Sequence, residues 1–265
     1  MNPHEYEALF EVEDRHWWFV ALRRDIRRAL QRHAVTIAGS RWLDAGSGTG
    51  GLLANLRDGA PAFRVGLDAS LQGILLAGSR RLADLVAGSV GAVPFPSAAF
   101  GLITSIDVLC HRDVEEAPAL SEMYRCLRPG GVLILQVPAF PWLFGAHDRA
   151  VWTNRRFRRG EVERLLEQAG FRVRESFYRM SLLFPAAVLR RLWTRRRGKV
   201  ENVRSDVRSA SAVENALFGC AARLESALAA LGARLPFGLS VFCVAERPAA
   251  RSSARADSSS LRSSE

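Results

Sequence analysis

The residues best suited to chemistry lie in LDAGSGTGG, Leu43 to Gly51. Gly46, Gly48 and Gly50 lack the Cβ atoms that would block a tight turn and the close approach of a ligand. Taken as Gly46, Gly48 and Gly51, the same stretch matches GxGxxG, so the glycines alone fit a dinucleotide or S-adenosylmethionine (SAM) equally well. About 20 residues on stands Asp68, where an acid accepts ribose hydroxyls. Asp44, two residues before the first glycine, could face a cationic aminoacyl end, which nicotinamide cofactors lack.

These residues need a scaffold, and the pattern around them is one of alternating strands and helices. Leu22, Ile26, Ala29 and Leu30 share one face of a helix over 21–33. Arg41–Leu43, Phe63–Leu67, Leu85–Ala87, Gly101–Ile106, Val132–Val137, Phe171–Phe177 and Leu239–Glu246 read as seven strands. Helices over 71–81 and 160–169, and one striped by Leu120, Met123, Tyr124 and Leu127, lie between them. The last of these stops at a turn, Arg128-Pro129-Gly130-Gly131. Alternation of this kind predicts a mainly parallel α/β sheet with right-handed crossovers. Residues 178–237 are far longer than a hairpin connection and mostly helical in pattern, with Val213, Leu217, Cys220, Leu224, Leu228 and Leu231 at helical spacing.

The chain of 265 residues carries a formal net charge of +10, almost wholly from arginine, with Lys199 the only lysine. Such a charge fits nucleic acid, anionic lipid or acidic substrates, or simply a genome-wide taste for arginine codons. Cys110, Cys126, Cys220 and Cys243 show no metal or disulfide spacing, so no metal is expected. The acidic, aromatic N-terminus is not a leader, and no apolar run reaches membrane-spanning length, which together predict a cytoplasmic protein.

LDAGSGTG, VGLDAS, VPFPSAAFGLI, SIDVLCHRDV and CLRPGGVLILQVP resemble, as a set, a class I SAM-dependent methyltransferase of the group that includes quinone-biosynthesis enzymes. The resemblance covers residues 40–177 and the last strand. It implies a Rossmann-like seven-stranded sheet of order 3-2-1-4-5-7-6 with strand 7 antiparallel, an N-terminal helical extension, and a helical insertion between strands 6 and 7. The division is then a helical and aromatic cap (1–38), the SAM-binding core (39–177), an insertion and acceptor lid (178–237), the last core strand (238–247) and a disordered tail (248–265). Asp44, Ala45, Gly46, Ser47 and Gly48 would line the methionine part of SAM. Asp68 would take the ribose, Ala69, Ser89 and Val90 would flank adenine, and Asp107 would close the pocket after strand 4. Two departures stand out: Ser89 where the family usually has an acid, and Phe100-Gly101 in place of Phe-Asp.

Methyl transfer to a hydroxyl benefits from a general base, and the candidates are His111, His147 and Asp148. The last two lie in the loop after strand 5. Trp17, Trp18 and Phe19 in HWWF are costly to expose and are expected to pack as part of a lid over the sheet's ligand edge or else to bind something apolar. SLLFPAAVLRRLW, followed by Arg195–Arg197, combines apolar, aromatic and cationic residues as interfacial helices do, so peripheral membrane contact through 181–197 is an expectation beside plain packing on the sheet. The expected acceptor is a small or lipid-like molecule. A nicotinamide oxidoreductase lacks a Tyr-x-x-x-Lys pair here. A non-catalytic SAM-binding protein stays open because of Ser89. Nucleic acid is disfavoured, for no base-flipping motif follows strand 4.

Overall fold

The computed structural model describes residues 3–56, 61–82, 84–196 and 210–249. Lys199, Arg197 and the tail from 250 lie outside the described residues, as do the side chains of Arg195 and Arg196. In chain order the elements are α1 (Pro3–Val12), α2 (Trp17–Arg32), β1 (Arg41–Ala45), α3 (Gly51–Asn55), β2 (Phe63–Asp68), α4 (Leu71–Ser79), β3 (Leu85–Ala87) and β4 (Phe100–Ile106). There follow α5 (Glu116–Cys126), β5 (Leu127–Pro138), α6 (Ala146–Ala150), α7 (Arg159–Gln168), β6 (Arg172–Arg179), α8 (Phe184–Arg196), α9 (Ala212–Ala230) and β7 (Ser240–Glu246).

The strands form one sheet of order β3-β2-β1-β4-β5-β7-β6. β1 to β5 pair in parallel, and β7 runs antiparallel between β5 and β6. Alternate side chains feed two layers. Leu43, Ile103, Leu133, Leu135 and Cys243 face α5 and α7, meeting Leu120, Met123, Val162 and Leu166. Trp42, Leu102, Ile134 and Phe242 face the other way, onto Leu22, Ile26 and Leu30 of α2 and Leu53 of α3. Full burial of such side chains stabilises by about 1.5–3 kcal/mol each, so α2 is held by its apolar face.

Three expectations need adjustment. The helix placed at 71–81 ends at Ser79, and Arg81 takes a left-handed backbone. Pro129-Gly130-Gly131 is not a turn ahead of the strand. It lies inside β5 as an irregularity, where pairing jumps from Phe100↔Leu127 to Leu102↔Val132 and Gly130 adopts φ 77°. The aromatic cluster takes only the β6 and β7 part of the sheet's ligand edge: Trp17 and Trp18 open α2 and pack with Met180 just past β6, with Leu183, and with Leu239 just ahead of β7. Trp17 also meets Phe218 at 5.2 Å, and its N–H donates to Asn215 Oδ1 at 3.0 Å, so the pair fastens α9 to α2.

Among its described residues the insertion carries two helices, α8 and α9, but the stripe on α9 faces outward. Val213 is 75% exposed and Leu231 85%, while Ala222 and Ser226 make the buried side.

Candidate functional site

The C-terminal ends of β1 to β4 bring the expected cofactor residues together. The amide N–H groups of Gly46 and Ser47 donate to the carbonyl of Leu67, tying the loop to β2. Gly46, Gly48 and Gly50 all have positive φ, which a residue with Cβ adopts at a cost. A Cβ on Gly46 would also fall 2.2 Å from Val108 Cγ2. Gly51 is different: a Cβ there would strike the Glu13 carboxylate, so this glycine admits the chain's own N-terminal segment.

Asp68 closes β2 and is buried. Its Oδ2 accepts from the Gly48 N–H at 2.8 Å, and its Oδ1 accepts from the Ser70 N–H at 2.8 Å and the Tyr6 hydroxyl at 3.3 Å. Burial first, then the facing Asp68 charge, pushes the Tyr6 phenol up to about 12. Asp44 sits at the end of β1. Thr104 Oγ1 donates to its Oδ1 at 2.6 Å and receives the Trp42 Nε1–H at 3.0 Å. Burial pushes the Asp44 carboxyl up to about 7 despite that bond. Val90 is buried, whereas Ala69 and Ser89 are exposed. The Ser89 hydroxyl accepts from the Gly91 N–H at 3.1 Å.

Above this edge lies α1, which sequence patterning left without bounds of its own. Arg80 at the end of α4 donates to Glu13 Oε1 at 2.9 Å, to Asp14 Oδ1 at 2.7 Å and to the carbonyls of Phe10 and Thr49. Thr49 Oγ1 donates to Glu13 in turn, and burial raises the Glu13 carboxyl above its ordinary range.

The second half of the edge belongs to β4, β5 and β6. Asp107 follows β4 with φ 56°, and burial pushes its carboxyl up to about 6. Gln136 Nε2 donates to Asp107 Oδ2 at 2.8 Å, and Arg179 donates to Gln136 Oε1. Arg179 is 1% exposed and also donates to Asp25 Oδ2 at 2.6 Å. His111 Nδ1 is buried with no partner in the protein, and burial lowers its pKa.

Asp148 lies in the loop after β5, yet its carboxylate is occupied. Oδ2 accepts from the Gly145 N–H at 2.7 Å and Oδ1 from Arg156 Nε at 2.8 Å, with the side chain buried. Both oxygens therefore hold the loop. His147 is half-buried on α6. Gln136, Arg179, Asp25 and Tyr6 were not singled out in the sequence. Gln136 alone gives a signal, as the polar residue in the apolar run VLILQV. Among the described residues no group of three or more His, Cys, Asp or Glu could hold a metal ion.

A family model for a methyltransferase domain matches residues 15–176. A probable SAM-dependent methyltransferase of Mycolicibacterium smegmatis is 28% identical over 168 residues, 62% of this chain and 63% of the relative. A demethylmenaquinone methyltransferase of Beutenbergia cavernae is 34% identical over 151 residues, 53% of this chain and 61% of the relative. The matches thus span about six-tenths of the length of these curated relatives. The geranyl diphosphate C-methyltransferase of Streptomyces coelicolor A3(2), solved with S-adenosylhomocysteine, shares the fold at TM-score 0.54 and 17% identity, over 84% of this chain and 77% of that one.

Proposed function

The chain belongs to the methyltransferase-domain family, and from that membership we propose that it transfers a methyl group from SAM to a small-molecule or lipid-like acceptor. One observation carries the cofactor assignment: Asp68, buried at the end of β2, gathers the Gly48 and Ser70 amides around a carboxylate beside three left-handed glycines. That arrangement suits a ribose with its two hydroxyls at the sheet's carboxyl edge. Asp44, Ala45, Gly46, Ser47 and Gly48 take the methionine end, where the buried Asp44 meets the ammonium and Ser47 Oγ, buried without a protein partner, supplies one more polar group. Val90 packs on adenine, with Ala69 and Ser89 at its rim. SAM supplies an electrophilic methyl group, and the protein's part is to align donor and acceptor and to exclude water.

The acceptor side is β4 to β6 with His111 and His147 nearby, roofed by the insertion 178–237 and the cap 1–38. The core comprises 39–177 and 238–247. A lipid-like acceptor draws support from the demethylmenaquinone relatives and from the outward apolar residues of the insertion. Leu189, Leu192 and Trp193 on α8 are exposed, as are Val213, Leu217, Leu224 and Leu231 on α9. Contact through 181–197 with a membrane surface follows from that reading; no helix among the described residues is long and apolar enough to cross a membrane.

Titration calorimetry tests the cofactor: SAM and S-adenosylhomocysteine bind, and NADH does not. Binding of NADH in their place overturns the assignment. Flotation with anionic liposomes tests the surface contact, and protein that stays at the bottom at physiological salt removes it.

A further inference from the structure

The proposed transfer must dispose of the acceptor's proton if the acceptor is a hydroxyl, and a buried chain of side chains ends on a group able to take it. Ser226 Oγ on α9 donates to Asp25 Oδ1 at 3.1 Å, and Arg179 Nε donates to Asp25 Oδ2 at 2.6 Å. Arg179 Nη1 donates to Gln136 Oε1, and Gln136 Nε2 donates to Asp107 Oδ2 at 2.8 Å. The Asp107 N–H also donates to the Gln136 carbonyl at 2.8 Å, so backbone and side chain are both fixed to β5. What remains is Asp107 Oδ1, buried and without a protein partner. It stands three residues beyond Thr104, whose strand pairs with Asp44 of β1, at the junction of the cofactor and acceptor halves.

Resting on the methyltransferase reading above, we propose that Asp107 Oδ1 takes the proton of a phenol- or hydroquinone-class acceptor, and that Asp25, Arg179 and Gln136 are the positioning residues that aim it. A phenolic oxygen reaches the site protonated at neutral pH and needs a base, whereas an amine can lose its proton beforehand. The balance is simple. The acceptor O–H bond breaks with its proton going to Oδ1, the oxygen forms a bond to the methyl carbon, and the carbon–sulfur electron pair stays on sulfur. The charges facing Asp107 are Arg179, Arg156 and Asp148, with Cys110 Sγ donating to its carbonyl. A carboxyl held near 6 in that setting is mostly ionised at pH 7 yet basic enough to accept.

Proton linkage tests this without an identified acceptor. Calorimetry in buffers of different ionisation enthalpy measures protons released when SAM or S-adenosylhomocysteine binds. The sulfonium charge distinguishes the two ligands, and their shared ammonium end makes Asp44 common to both. At pH 6, SAM should release about half a proton more than S-adenosylhomocysteine, fading by pH 8. Asp107→Asn should abolish the difference. Gln136→Leu, by removing a bond to the charged form, should move its midpoint up in pH. A difference that is absent from the wild type, or survives Asp107→Asn and disappears in His111→Ala, overturns the proposal. Failure of both ligands to bind overturns the cofactor reading beneath it. Turnover of a panel of phenols and hydroquinones supplies the second arm. With SAM well below saturation the rate should rise with pH through about 6, and it should fall at least ~100-fold in Asp107→Asn and partly return in Asp107→Glu. A wild type that binds SAM yet methylates none of the panel between about pH 5 and 9 removes the hydroxyl class.

Discussion

The two halves of the sheet's carboxyl edge are built from different materials. At β1 to β3 the site is mostly backbone: three glycines with positive φ, the amides of Gly48 and Ser70, and two carboxylates, Asp44 and Asp68, within a short span of chain. At β4 to β6 it is mostly charge. Asp107, Gln136, Arg179 and Asp25 come from four separate elements, and the Arg179–Asp25 pair lies 154 residues apart in sequence. A backbone-made site needs glycines at fixed offsets and costs little to bury. A charge-made site needs every member present, because each ion out of water is stabilised only by its partners.

The largest expected effect breaks the charged half. Arg179→Met leaves the Asp25 carboxylate and the Gln136 amide without their buried partner, and removal of one member of such a pair typically costs about 3–5 kcal/mol. Chemical denaturation should show a loss of that order, and Asp25→Leu added to Arg179→Met should recover much of it. A loss below about 1 kcal/mol for Arg179→Met means that the pair is solvated and that the two halves are not as different as they look.

The matching test on the backbone-made half is smaller. Asp68→Ala removes a charge-assisted acceptor worth roughly 1.5–3 kcal/mol, so SAM affinity should fall on the order of 10- to 100-fold. Calorimetry that finds unaltered affinity in a folded variant takes Asp68 out of the cofactor site.

The same contrast decides what could be read from sequence. The strands themselves, the α2 face, the glycine loop and the place of Asp68 at the end of β2 were legible because each rests on a local period or a short offset, whereas the strand order came only from the resemblance. The β5 irregularity was not, since Pro129-Gly130-Gly131 serves a turn and a bulge equally well. Asp107, Phe140 and Met180, at or just past the ends of β4, β5 and β6, all take left-handed backbone conformations with no glycine to announce them. Asp148 has the residue type of a base, yet its two oxygens are committed to Gly145 and Arg156, a fact of tertiary structure alone. Arg179 gave no signal among so many arginines.

Asp44 sharpens the comparison, being the most deeply buried acid of the backbone-made half. Burial lifts its carboxyl to about 7, well above the unfolded value, so the folded state holds the extra proton between roughly pH 4 and 7. Stability from this group is therefore present below pH 4 and lost as pH rises through 7, the reverse of a salt-bridged acid. Asp44→Asn, which still offers an oxygen to Thr104, should flatten that slope and raise the pH 8 melting temperature, by about 1–2 kcal/mol or a few degrees. It should also weaken SAM. Thermal melts from pH 4 to 8 that show equal slopes for both proteins rule out a raised Asp44 carboxyl.

The smallest effect concerns Tyr6, through which the N-terminal cap touches the backbone-made half. Asp68 Oδ1 already accepts from the Ser70 amide and the Tyr6 hydroxyl, and Oδ2 from the Gly48 amide. With about two lone pairs on each oxygen, a single acceptor position is left for a ribose that brings two hydroxyls. One existing donor has to yield. The amides are fixed by the glycine loop and the start of α4, and their bonds are 2.8 Å long. The Tyr6 bond is 3.3 Å, long for two oxygens, and it is therefore the donor that gives way. Tyr6→Phe removes the competitor, keeps the ring packed against Gly73, and should tighten SAM two- to fivefold, about 0.5–1 kcal/mol. If affinity falls instead, the hydroxyl is a partner of the ribose and α1 belongs to the cofactor site as a wall.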